Sequence, residues 1–349
     1  MNIYIYWMIG EVVFVVLFFS AIIFKLWRNS KNNTGKTNPP ETVTGKLWHY
    51  TKYLLRILGV GLGTLLALSF FIMIERNILT IHTETTPAPS NVEISSDLGF
   101  EVEEVTFESE DGITLAGWFV PPQNGATVIL LHGYGGNRTA MIWHAQQLVN
   151  AGYGVLMYDE RASGESTGEY RSYGWEDTRD VKAAIQFLES HNAGENIGAM
   201  GCSTGASIVV YSAALYPEIG AAWGDGNSSV RAQDLPAPPN PLIAALIAGN
   251  YTLDWMYTVK LGIELPAPLI EVIDEIAPRP LMLVGGGTPL PFLGSEGELY
   301  TYRFAALAGS NAQAWVIPEA THCDGPIQRP DEYSQRLVGF FDEAFGIVR

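Results

Sequence analysis

Gly201-Cys202-Ser203-Thr204-Gly205 decides how the chain is read. The largely apolar run 196–200 precedes it, and 206–215, with the composition of a buried helix, follows it. A strand that turns sharply into a helix crowds its neighbouring side chains. Glycines two residues either side of the serine leave room for the turn and push the hydroxyl outward. Strand, G-x-S-x-G turn and helix therefore form a candidate nucleophile elbow with Ser203 as the nucleophile. Three fixed positions in five also occur in ordinary Gly-rich turns, so the weight of the motif rests on what surrounds it.

Around the elbow, strands and helices alternate. Residues 102–107 and 113–120 have the pattern of strands joined by the turn Glu110-Asp111-Gly112. Strand patterns follow at 127–131, 153–158, 219–224, 281–284 and 314–317, with helical patterns at 139–151, 176–190 and 331–345. This order predicts an α/β fold, a doubly wound and mostly parallel sheet with a short antiparallel entry. The interval 227–278 is too long for a simple connection and carries Pro236, Pro238, Pro239, Pro241, Pro266 and Pro268 around two apolar segments. It is expected to form a short helical cap, with Trp255, Met256 and Tyr257 lining a pocket for an apolar or bulky ligand.

A serine hydroxyl needs a base, and in a parallel sheet that base comes from a loop at a strand's carboxyl end. His322 follows the strand 314–317 and precedes the last helix, whereas His49, His82, His144 and His191 lie in membrane-flanking or helical positions. The negative oxygen of a tetrahedral intermediate needs preorganised N–H donors. The glycine-rich turn after the third strand, Leu131-His132-Gly133-Tyr134-Gly135-Gly136-Asn137, offers the N–H of Tyr134, and the elbow offers that of Thr204. His132 is expected to organise this loop. The histidines show no metal-ligand spacing, and Gly285-Gly286-Gly287 lacks the Lys-Ser/Thr of a phosphate loop, so neither metal nor cofactor is expected.

Taken in order, these motifs, together with Tyr158-Asp159-Glu160-Arg161-Ala162-Ser163-Gly164-Glu165-Ser166 and Ala320-Thr321-His322, resemble the α/β-hydrolase superfamily. The likeness is to its serine-aminopeptidase-like and dienelactone-hydrolase-like branch and covers about 102–349. The resemblance implies a hydrolase that cleaves an ester or amide of a small molecule through an acyl-serine, with Asp159 and Arg161 bracing loops near the site. The chain departs from the pattern at the acid. Most relatives carry an aspartate after the seventh strand, but here Gly285-Gly286-Gly287-Thr288-Pro289 follows it. Asp225, at the end of the sixth strand, is the preferred substitute, as in haloalkane dehalogenases, and Glu296 or Glu298 the alternatives. The missing aspartate also leaves open a catalytically impaired binding or sensory membrane protein of the same fold.

The N-terminal part has its own logic. Residues 3–24 and 57–74 are nearly continuous apolar runs, close to the roughly 20 helical residues that a bilayer core requires. They predict two transmembrane helices in an anchor over residues 1–82, then a Thr/Pro/Ser-rich linker over 83–100 and the hydrolase domain over 101–349. Lys25, Arg28, Lys31, Lys36, Lys46, Lys52 and Arg56 face only Glu41 between the apolar runs. This basic loop is expected to be cytoplasmic, which places the domain on the outer side of the plasma membrane. Beyond Arg56 remain 13 basic and 35 acidic residues, a net charge of −22 that argues against nucleic-acid partners. The two cysteines, Cys202 and Cys323, adjoin the candidate Ser and His and are expected to point apart, leaving no disulfide.

Overall fold

The computed structural model describes residues 42–93, 98–172, 174–193, 195–238, 241–289 and 294–349, with a few helical residues between 20 and 28. The chain divides into two compact units, Met1–Thr80 and Ile81–Arg349. The first expected membrane segment, residues 3–24, lies almost wholly outside the described residues. The second falls within one continuous helix, α1 (Val43–Thr85), which carries an apolar window of mean hydropathy 2.4, none of it buried. This helix is longer than the apolar run because no proline interrupts 43–85. Lys46, Lys52 and Arg56 are accordingly helical, where a loop was expected.

The expected linker also needs correction. Thr85 remains helical, its hydroxyl donating back to the Ile81 carbonyl (2.7 Å). Ala88 and Pro89 then pair in parallel with Ser163 and Gly164. Arg171 donates to the carbonyls of Thr83 (2.8 Å) and Thr86 (2.7 Å), so this stretch packs as part of the second unit. A Thr/Pro-rich composition does suit a linker, but it equally suits an edge strand whose prolines need no ladder donor.

The second unit is built on eight strands: β1 (Glu103–Glu108), β2 (Thr114–Val120), β3 (Ala126–Leu131), β4 (Gly154–Tyr158), β5 (Asn196–Cys202), β6 (Ile219–Asp225), β7 (Leu281–Gly286) and β8 (Ala312–Ile317). Their order across the sheet is β8-β7-β6-β5-β3-β4-β2-β1. The β1/β2 and β2/β4 pairs are antiparallel and the rest parallel, as the sequence predicts. In β3, Ile129 and Leu131 join the core on one face, while Val128 and Leu130 join the core on the other. That period of two, with every β3 residue buried, requires helices on both faces. They are α2 (Ile142–Asn150) and α3 (Asp177–Ser190), followed by α4 (Thr204–Leu215) directly after the elbow. Helix α5 (Pro241–Leu261) stands in the cap interval, and α6 (Tyr302–Ala308) and α7 (Pro330–Phe345) follow it, besides shorter helical turns. Each fully buried Leu or Ile contributes roughly 1.5–3 kcal/mol, so the two cores hold the carboxyl ends of the strands in fixed register.

Candidate active site

Ser203 lies between β5 and α4 with φ 59° and ψ −119°, a backbone state that non-glycine residues occupy only under constraint. The constraint is visible in its neighbours. A side chain at Gly201 would collide with the Gly205 carbonyl, and one at Gly205 with the carbonyls of the β3 end. The Ser203 N–H donates to the Asp225 carbonyl of adjacent β6 (2.8 Å).

His322, the base expected from the sequence, meets Ser203. Ser203 Oγ donates to His322 Nε2 (2.7 Å), and His322 Nδ1–H donates to Glu296 Oε1. Glu296 Oε2 accepts from the Gly286 N–H (3.4 Å) at the end of β7. This hydrogen bond to Glu296 raises the His322 pKa above the usual imidazole value, against a smaller opposing effect of burial. A proton on Nδ1 leaves Nε2 as the acceptor, the tautomer a general base requires.

Asp225, the preferred acid from sequence, does not meet His322. Its carboxylate is buried and accepts from the Tyr333 hydroxyl (2.7 Å), which itself accepts from Trp223 Nε1–H (3.1 Å). Burial raises the Asp225 pKa to about 6. The end of β6 aims this side chain toward Tyr333 of α7. Glu296, the alternative, occupies the acid's place from the segment after β7, and Glu298 instead accepts from the Ser295 N–H (2.7 Å). Sequence reasoning missed Tyr333 as Asp225's partner; an aromatic in the final helix gave no sign of reaching the sixth strand.

Gly226 makes the His322 position possible. With φ +71° it adopts a conformation that favours glycine, and a methyl group there would sit 3.0 Å from His322 Cε1. The expectation that Cys202 and Cys323 diverge is overturned: they form a disulfide, with Cα atoms 6.2 Å apart. Cys323 has φ 55°, and this left-handed turn directs its side chain differently from that of an extended loop residue. The bridge joins the residue before Ser203 to the residue after His322.

On the side expected to hold an oxyanion, a methyl group at Gly133 would lie 3.1 Å from Ser203 Cβ, so the β3 loop runs beside Ser203 just before Tyr134. Thr204 is the first residue of α4, where helix N–H groups lack intrahelical acceptors. His132 is buried; its Nδ1–H donates to the Gly133 carbonyl (2.8 Å), and its Nε2 accepts from Glu160 N–H (3.1 Å). It ties the loop to the next strand. Asp159 accepts from the Arg138 N–H (2.7 Å), and Arg161 donates to Asp180 (2.7 and 2.9 Å), so both brace loops.

The cap interval supplies one side of a cavity of about 280 Å³ lined by Glu84, Ser228, Arg231, Leu253, Tyr257 and Tyr300 among others. Tyr257 lines it, but Trp255 does not: it is 62% exposed. Two residues on a helix differ by about 200°, so 255 and 257 cannot share a face. Met256 packs into the small cluster around Ile81, Trp175, Val230 and Tyr257.

Comparison with known proteins agrees with this architecture. The family described as Serine aminopeptidase, S33 (Hydrolase_4) matches residues 122–289. The uncharacterised protein YfhR of Salmonella typhimurium is 31% identical over 267 residues, which covers 70% of this chain and 82% of YfhR. The Pyrococcus furiosus esterase Pf2001 superposes with a TM-score of 0.59 at 26% identity, covering 74% of this chain and 98% of that one. The α/β hydrolase GrgF from a Penicillium species shares the fold, with a TM-score of 0.54 at 16% identity, covering 71% of this chain and 100% of that one. With its sheet order, its serine turn and these relatives, the chain belongs to the α/β-hydrolase superfamily as a relative of YfhR, and its likeness to the serine-aminopeptidase family runs over residues 122–289.

Proposed function

We propose that this hydrolase is a membrane-anchored serine esterase or amidase that works through an acyl-serine. The observation that carries the proposal is the continuous line from Ser203 Oγ through His322 to Glu296. His322 Nε2 takes the hydroxyl proton as Ser203 attacks the substrate carbonyl. Glu296 holds the Nδ1–H and stabilises the imidazolium that forms. The N–H groups of Tyr134 and Thr204 receive the oxyanion, His322 then protonates the leaving group, and water deacylates Ser203 by the same route. Esters are the favoured class, in keeping with the likeness to an esterase at 26% identity. The contact of Glu296 with His322 weighs against an impaired binding protein.

The exposed apolar window of α1 supports the anchor; at 1.5 Å per residue its 18 residues span about 27 Å. The basic stretch 25–56 and a disulfide that oxidising compartments favour both support an outward-facing domain. Its net charge of −22 beyond Arg56 disfavours nucleic acid. A fluorophosphonate probe tests the chemistry. It should label the wild-type chain and not Ser203→Ala, and equal labelling of both would refute the assignment.

A further inference from the structure

Helix α5 presents two unlike faces. Asp254 and Tyr257 point inward, Asp254 accepting from Arg231 Nε–H (2.9 Å) and Tyr257 donating to Glu84. On the opposite side Tyr251, Trp255 and Val259 follow one another at four-residue spacing and are 51%, 62% and 66% exposed. Side chains four apart on a helix stack along one stripe, so these three form a single apolar ridge. Leu265, just past the helix, is also exposed. Interior packing does not explain a tyrosine, a tryptophan and a valine displayed in a row.

The chain itself restricts what can cover this ridge. Ile81 is buried in the same cluster as Tyr257, so the entry of the hydrolase unit is held against the inner face of α5. The apolar run expected to cross the bilayer ends at Ile74. The seven residues from there to Ile81 reach at most about 25 Å even when fully extended. The cap helix is therefore tethered close to any bilayer the anchor occupies. Tyr and Trp are also the residues that suit a membrane–water boundary, where the ring body is buried and the polar edge stays wet.

We propose that the outer face of α5, through Tyr251, Trp255 and Val259, docks on the surface of the bilayer that holds the anchor. The proposal rests on the membrane-anchor reading. Contact is by apolar insertion, since the net negative charge gives no general attraction to anionic lipid.

The test uses the full chain reconstituted in phosphatidylcholine nanodiscs. Both native cysteines are in the disulfide, so Val259→Cys introduces one free thiol for an environment-sensitive fluorophore. Val348→Cys, at a position 95% exposed near the C-terminus, is the reference. The label at 259 should be quenched at least three-fold more by nitroxide-bearing lipid than the label at 348, and less by aqueous iodide. Equal quenching at the two positions overturns the docking face. Alkaline carbonate extraction reports on the premise separately: a chain that stays with the membrane while 259 is quenched only by iodide keeps its anchor and loses the proposal. A chain that carbonate releases loses both.

Discussion

Replacing Glu296 with glutamine separates the two candidate acids by what each carboxylate touches. Glu296 has one oxygen on His322 Nδ1 and the other facing the Gly286 N–H (3.4 Å). A glutamine has only one acceptor oxygen. If that oxygen faces Gly286, the NH2 faces Nδ1, which must then be unprotonated, and the proton moves to Nε2. An Nε2–H donates to Ser203 and cannot accept its proton. Loss of the acid in such a triad lowers kcat by about 10⁴-fold, equivalent to about 5.5 kcal/mol. Glu296→Gln should approach that loss on a soluble p-nitrophenyl ester with little change in KM or melting temperature. Because the Glu296 hydrogen bond raises the His322 pKa, the residual acid limb of its pH–rate profile should move to lower pH. Asp225→Asn should leave kcat within about ten-fold, since its carboxylate meets Tyr333 rather than the imidazole. Its effect should appear in thermal unfolding, as a loss of about 1–3 kcal/mol for a disturbed buried hydrogen bond. The opposite pattern, with Asp225→Asn inactive and Glu296→Gln near wild type, refutes the assignment.

Three further expectations concern the framework. The Cys202–Cys323 bridge closes a 121-residue separation, which chain entropy values at up to about 5 kcal/mol. Cys202→Ser with Cys323→Ser should lower the melting temperature by about 10 °C, read by calorimetry, and also kcat; an unchanged melting curve contradicts this. His144 is wholly buried and desolvation lowers its pKa to about 4, below its ordinary 6.5. The unfolded chain then binds more protons between those values. The stability is complete above pH 6.5 and falls as pH drops toward 4, by about 3 kcal/mol, and His144→Met should flatten this limb in urea titrations. Arg171 donates to the Tyr134 hydroxyl (3.0 Å) and lies over its ring at 4.2 Å, besides holding the Thr83 and Thr86 carbonyls. Arg171→Ala should lower kcat by about 10- to 100-fold through a displaced oxyanion loop; a change in KM alone would show that the loop had not moved.

Local pattern made much of the site legible. The elbow glycines, the histidine after β8 and the loop role of His132 each follow from a residue and its neighbours in the chain. The doubly wound, mostly parallel sheet followed too, because strands that alternate with helices leave few other fold classes. What was not legible depends on the direction of side chains brought together from distant segments. Asp225 and Glu296 both lie near strand ends that converge on His322, and nothing in the sequence told which carboxylate turns toward the ring. The disulfide was misread because the left-handed turn at Cys323 is a backbone state that a cysteine does not advertise. Trp255 was misplaced for a related reason. A largely apolar helix has few polar side chains to fix its rotation, so its inner side is settled by Asp254 pairing with Arg231.

The end of β6 explains why Glu296 and not Asp225 meets His322. Its register sets Asp225 beside Cys202, and from there the Asp225 carbonyl holds the Ser203 amide. Gly226 follows immediately and lies so close to the imidazole that any side chain would displace it. Two consecutive residues are thus committed to holding Ser203 and clearing space for His322. A carboxylate at 225 pointing toward His322 would have to leave the Tyr333–Trp223 hydrogen-bond chain, which satisfies a fully buried charge. The imidazole Nδ1 is approached instead by Glu296. The segment after β7 supplies that approach, and glutamate is one methylene, about 1.5 Å, longer than the aspartate usual at this stage of the fold. In this hydrolase the glycine-rich departure after β7 and the glutamate ten residues beyond Gly286 form a single adaptation of the loop.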